Sequence, residues 1–172
     1  MKLRERGLDA KTLQSYLNRH GWQQFQVVAD NAQKTAIMTG WVASSGKHLM
    51  AINVDKQSDS VEFAVPGVCV ARRGTVTEGE LADVLMAIAF SNFATLFGTF
   101  AYDPSDGEVR LRYSFPLNNS SLSFEQFDRI LTALVVTTEV WAPRIAGILA
   151  GERSGQSVIE SFVGHLRAAG AL

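Results

Sequence analysis

The amino-acid sequence predicts an α+β domain: an antiparallel sheet with helices packed on one face, in the order helix, four strands, helix, two strands, helix, helix. Three observations predict it. Apolar residues alternate with polar ones in two blocks, from Phe25 to Ala71 and from Phe100 to Phe115. The stretches before, between and after these blocks repeat at helical spacing, and two of them open on a capping box. No strand–helix–strand alternation of the kind a doubly wound parallel sheet requires occurs anywhere.

The first helix is opened by Asp9, whose carboxylate can cap exposed amides, and Leu13, Tyr16 and Leu17 recur on one side until Gly21 stops the run. From Trp22 the period changes to two. Strands are expected near Phe25 to Ala29, Ala36 to Val42, Leu49 to Val54 and Val61 to Val65, the last either continuing through Val68 to Ala71 or broken at Pro66-Gly67. Asp30-Asn31, Ser44-Ser45-Gly46 and Gln57-Ser58-Asp59 separate them, residues that favour short turns, so the strands should form a meander.

Thr77 to Glu80 is the first capping box, and Leu81, Val84, Leu85, Ile88 and Phe93 form the apolar stripe of the helix it opens, with Gly98 as the expected stop. Phe100 to Tyr102 and Val109 to Phe115 then make a hairpin around Asp103-Pro-Ser-Asp-Gly107. Ser123 to Gln126 is the second box, with Leu122 and Phe127 as its hydrophobic staple. Phe127, Ile130, Leu131, Leu134 and Val135 mark the buried side of a long helix that Pro143 should end or kink, before a further stretch closed by Gly151. A last helix is expected from Ser157, carrying Ile159, Phe162, Val163 and Leu166.

With 172 residues and 47% apolar content the chain suits one substantial core, so a single domain over residues 1–172 is expected. The net charge of -1, from 16 Lys and Arg against 17 Asp and Glu, offers no footprint for nucleic acid or for an anionic membrane. Partners must be found by shape and apolar contact. A lone cysteine, Cys69, cannot make an internal disulfide, which fits a reducing cytoplasm. Met1 to Gly7 carries Lys2, Arg4, Glu5 and Arg6 with no apolar segment behind it, so export is not expected. The uncharged run Val84 to Tyr102 reaches the length of a membrane span, but its helical period gives way to strand alternation, and backbone groups at such a break would go unpaired in lipid.

No constellation for catalysis stands out. His20, His48 and His165 are far apart in sequence without metal-ligand spacing. Cys69 sits between Val68 and Val70, where a thiol is a small core residue of high pKa. Asp103, Asp106 and Gly107 resemble part of a calcium loop, yet Tyr102 and Pro104 occupy ligand places, and a hairpin turn explains them. Gly147 to Ser154 has a phosphate-loop look but is one residue short, lacks the lysine and follows a helix. No catalytic, metal-binding or cofactor-binding residue is assigned. The candidate partner-contact residues are Trp22, Trp41, Tyr102 and Tyr113, aromatic anchors on or beside strands, and the pair Arg72 and Arg73 at a strand end.

The central segments Met86-Ala-Ile-Ala-Phe90-Ser-Asn92, Phe97-Gly98-Thr-Phe100-Ala-Tyr102-Asp103, Asp106-Gly107-Glu-Val109-Arg-Leu111-Arg-Tyr113 and Leu122-Ser-Phe124-Glu-Gln-Phe127 resemble the YbjN family of bacterial sensory transduction regulators, whose fold is that of the type III secretion chaperones. The resemblance covers residues 8–150 and leaves residues 154–172 as a C-terminal helical extension, placed to cover a binding surface or a dimer interface. It implies a domain that dimerises, presents apolar surface to an extended or amphipathic segment of a partner protein, and brings no catalytic residues. The function expected is a non-catalytic protein-binding module, chaperone-like or regulatory. The alternative is a small-molecule-sensing regulatory domain with a ligand cavity between sheet and helices.

Overall fold

A computed structural model of the chain describes residues 8–118 and 120–170. Met1 to Gly7, on which the expectation about export rests, lies outside the described residues. The elements are α1 (Ala10–His20), β1 (Phe25–Asp30), β2 (Lys34–Ala43), β3 (Gly46–Asp55), β4 (Ser60–Val70), α2 (Glu78–Ala94), β5 (Thr99–Tyr102), β6 (Glu108–Pro116), α3 (Phe124–Leu149) and α4 (Gly155–Ala168). All strand pairings in the sheet are antiparallel, in the order β1-β2-β3-β4-β6-β5. The fold is α+β, as the sequence pattern predicts.

Each boundary has a chemical cause. Asp9 accepts from the Thr12 amide at 2.8 Å and opens α1. Thr77 and Glu80 form the reciprocal capping box of α2, and Ser123 and Gln126 that of α3. The β5–β6 turn depends on Gly107, which has a φ of 80° and lies so close to the end of β4 that a Cβ there would stand 2.4 Å from the Arg72 Cα.

The period-two pattern sorts the strands into two faces. Ile37, Ile52, Phe63 and Tyr113 share one level of register and one face, with Met50, Val54, Val61, Val65, Val109 and Leu111 beside them. That face, buried against Leu13 and Leu17 of α1 and against Phe127, Leu131 and Leu134 of α3, is the core.

One open alternative is settled and three expectations need correction. The strand after Val65 is continuous through Pro66-Gly67, and its pairing with β6 shifts register between Val65 and Cys69, a bulge with Gly67 at a φ of 61°. Helix α2 ends at Ala94, before Gly98, because Thr95 leaves helical angles and turns its hydroxyl back to the Ser91 carbonyl. Helix α3 does not end at Pro143 but continues to Leu149. Pro143 and Glu139, whose carbonyl loses its helical donor there, are both exposed, so water can serve the carbonyl. Finally, α4 begins at Gly155, capped by Ser154 with Ser157 as the reciprocal partner, so Ser157 lies inside the first turn.

Helix α3 is long and apolar enough to cross a membrane by length and composition alone. Its apolar side is used otherwise: Phe127, Ile130, Leu131, Leu134, Trp141, Ile145 and Ile148 are all buried in the core.

Candidate functional site

Helix α2 carries apolar residues all round, and the structure covers only part of them. Leu81, Val84, Ala87 and Ile88 are buried, and Phe90 packs on α4. The remaining side is bare. It carries Ala82, Met86 and Ala89, then Phe93, 86% exposed, and just past the helix end Leu96, 95% exposed. These positions are spaced four, three, four and three residues apart, the interval that keeps a seam on one side of a helix. The polar residues at this end of α2 point the other way. The Ser91 hydroxyl is buried and donates to the Ile88 carbonyl, and the Asn92 side chain grips Phe100 from both sides, accepting from its amide at 2.7 Å and donating to its carbonyl at 3.0 Å. The helix is thus inverted at its C-terminal end. Beside Leu96 a groove of about 510 Å³ runs along α3, with Phe97, Ala133 and Val136 as its apolar lining and Asp128 and Arg129 at its rim.

The second uncovered surface is the face of the sheet turned away from the helices. Register places Met38 opposite Ala51, Gly40 opposite Leu49 and Ala51 opposite Ala64 on this face. Val42 is 76% and Leu49 57% exposed. A groove of about 480 Å³ wraps the β2–β3 hairpin here, reaching Gln26 of β1 and Lys47 of β3. Both grooves are open surface features, and neither lies between sheet and helices.

Trp22 and Trp41 meet at the helix-side end of that same hairpin. Their rings stack at 5.7 Å, His48 stacks on Trp41 at 5.1 Å, and His20 meets Trp22 edge-on at 5.3 Å. His20 is tied in turn to Asp128, Nδ1 to Oδ1 at 2.6 Å, and the His48 ring contacts the Ser45 hydroxyl at 2.8 Å. The Trp41 indole N–H is buried and, among the described residues, has no hydrogen-bond partner. Tyr102 is half-buried and donates its hydroxyl proton to the Ala71 carbonyl at 3.1 Å. Arg72 and Arg73 are exposed just after β4, and the Arg72 Nε donates to the Asp106 carbonyl at 3.2 Å. Tyr113 lies mid-sheet between Phe97 and Phe115. The structure therefore gathers Trp22 with Trp41, and Tyr102 with the arginine pair, while Tyr113 stands apart. Phe93, Leu96 and Met86 were not among the candidates; the signal that would have found them is the unbroken seam on a helix with no outward polar stripe.

The chemistry of titratable groups is local. Among the described residues no three His, Cys, Asp or Glu side chains gather as a metal would need. Burial pushes the Cys69 thiol up to about 12, so it is neutral at physiological pH. Asp103 accepts from the Ser105 amide and hydroxyl, and those bonds hold its carboxyl below the usual range within a hairpin turn.

Two solved structures are similar. A chain of "Structure of the HopA1-SchA Chaperone-Effector Complex" aligns at a TM-score of 0.46 and 13% identity, covering 76% of this chain and 90% of that one. A chain of "Crystal Structure of the ExsC-ExsE Complex" aligns at 0.48 and 16%, covering 80% and 96%. No family model and no curated protein matches the chain, so the likeness to the YbjN family stands on the segments quoted for it. What these surfaces offer a partner is physical: bare apolar area on one side of a helix and on the open face of a sheet, bordered by polar residues.

Proposed function

We propose that this chain is a non-catalytic protein-binding module, chaperone-like or regulatory in the manner of the YbjN family, that acts in the cytoplasm as a homodimer. The observation that carries the reading is the bare side of α2. Phe93, Leu96, Met86 and Val136 together leave on the order of 500 Å² of apolar surface in water, as much as the largest patch an ordinary monomer shows. Counted on two copies this reaches the ~1,000 Å² a specific interface requires. Run antiparallel to a second copy about Ala89, the seam sets Leu96 against the small Ala82 and Phe93 against Met86 of the other helix.

The open sheet face is the second contact. Met38, Val42 and Leu49 offer alternate pockets to an extended segment, and β1 stands at the sheet edge, where main-chain pairing adds affinity without sequence demand. Trp22 and Trp41 at the helix-side end of the β2–β3 hairpin, and Tyr102 with Arg72 and Arg73 beyond the end of β4, are proposed as further partner contacts outside this face, while Tyr113 packs on the core side.

The dimer is tested by light scattering across a concentration series. The natural chain should show twice its monomer mass, and Phe93→Asp with Leu96→Asp should show a folded monomer; a monomeric natural chain at high concentration would sink the dimer. Partner binding is tested separately, by gentle co-purification at natural abundance from the native host. Recovery of a partner that Leu49→Asp releases supports the sheet surface, and recovery of the chain alone counts against it.

A further inference from the structure

Helix α4 runs alongside α2 in the crevice that α2 forms with α3. Gly155 lies on Asp83, so close that a Cβ at position 155 would stand 2.7 Å from the Asp83 carbonyl oxygen. Phe162 lies on Phe90, with ring centroids 5.9 Å apart, and on Trp141 at 4.8 Å. Gly155 to Phe162 and Asp83 to Phe90 are the same separation along the two helices, so the helices travel together in one direction. The docking side of α4 is therefore short: Gly155, Val158 and Phe162, of which only Gly155 and Val158 are buried.

The fit lacks one thing, a negative charge. Arg144 reaches into the crevice from α3, its guanidinium 6.0 Å from both the Trp141 and the Phe162 ring centroids. Its Nη1 donates to the Val140 carbonyl, but its Nε is buried with no partner among the described residues, and it joins none of the ion pairs there. Burial and the like charge of Arg153 both pull its pKa down. The one acid on α4, Glu160, is bonded to Gln156. Helix α4 half-covers a cation without answering it, and a charge drawn partly out of water with a shielded, unpartnered Nε is costly.

We propose that this crevice is a helix-receiving site, that α4 is its resident occupant, and that the partner it fits is an amphipathic helix with a small residue, an aliphatic and an aromatic at the spacing of Gly155, Val158 and Phe162, carrying a carboxylate beside the aromatic for Arg144. The site borders the bare seam, because Phe90 meets Phe162 on one side and the Phe93 ring at 6.5 Å on the other, and its readout is peptide binding, which separates its failure from that of the homodimer.

The test uses the full chain with Phe162→Ala to loosen α4, and fluorescein-labelled synthetic peptides of residues 154–170: one of natural sequence, and a set with a single glutamate in turn at Ser161, Val163, His165 and Leu166. Hydrogen exchange should show α4 amides opening at least tenfold faster in the variant while those of α3 keep their protection. By fluorescence anisotropy the natural peptide should bind the variant, at least one glutamate peptide should bind about tenfold tighter, and that gain should vanish when Arg144→Gln is added. Val158→Ala, a smaller truncation on the same side, repeats the measurement should Phe162→Ala fail to fold. The proposal is overturned if α4 stays as protected as α3, if no glutamate peptide exceeds the natural one, if the gain survives Arg144→Gln, or if both truncations unfold the whole chain.

Discussion

Helices α2 and α3 begin alike, each behind a capping box and each rich in apolar residues, yet they use those residues in opposite ways. Apart from Val136, helix α3 keeps its large apolar side chains at least half-buried, and it shows Glu125, Arg129, Thr132 and Glu139 to water. Helix α2 turns Ser91 and Asn92 inward, spends them on hydrogen bonds, and shows Met86 and Phe93 to water. A soluble helix that is apolar on every side is normally enclosed. The difference separates a helix that completes the fold from one that, on the reading proposed here, completes an assembly.

Substitutions ranked by size can break or sharpen that contrast. The largest effect belongs to α3: Phe127→Ala empties a site packed against Phe63 and Tyr16, and should cost about 3–5 kcal/mol in urea unfolding. Next comes the inward polar side of α2. Asn92→Ala strands both the amide and the carbonyl of Phe100, and a loss of about 1–3 kcal/mol is expected; a neutral result would mean that water replaces the side chain. Thr77→Ala removes one half of the α2 box for about 1 kcal/mol. On the bare side, Phe93→Ser should move monomer stability by no more than about 0.5 kcal/mol while weakening self-association; an equal loss of stability would erase the distinction between the two helices.

The smallest effect is a pH dependence. Hydrogen bonds from the Thr77 amide and hydroxyl hold the Glu80 carboxyl below its ordinary value. A depressed carboxylate adds stability above its unfolded pKa and loses it as pH falls through the folded one, so the box should weaken in acid. In Thr77→Ala the stability curve should be flatter below the ordinary glutamate pKa, read by urea titrations at stepped pH.

Much of this architecture was legible because its signals are local. Asp9, Thr77 and Ser123 announce helix starts by side-chain chemistry within three residues, and alternation assigns Val109, Leu111 and Tyr113 to one face without knowledge of their neighbours. What was not legible depends on distant contacts. Phe93 was expected to belong to the buried stripe, as was Leu85, yet both are exposed, because periodicity ranks residues by face and says nothing about which face the rest of the chain covers. Pro143 was expected to end or kink its helix, and only the exposure of Glu139 explains why the helix carries on. The aromatic candidates were legible as types but not as groups: the Trp22–Trp41 column joins a loop to a hairpin, and no local spacing encodes it.

The muted thiol of Cys69 has a practical corollary. Facing Val109 across the β4–β6 ladder and neutral until strongly alkaline conditions, it should ignore maleimides that capture an ordinary surface cysteine within minutes. A cysteine installed at Val42 or Phe93 could then carry a spin label or dye with the native sulfur left in place, and slow alkylation of Cys69 itself would serve as a clock for the unzipping of those two strands.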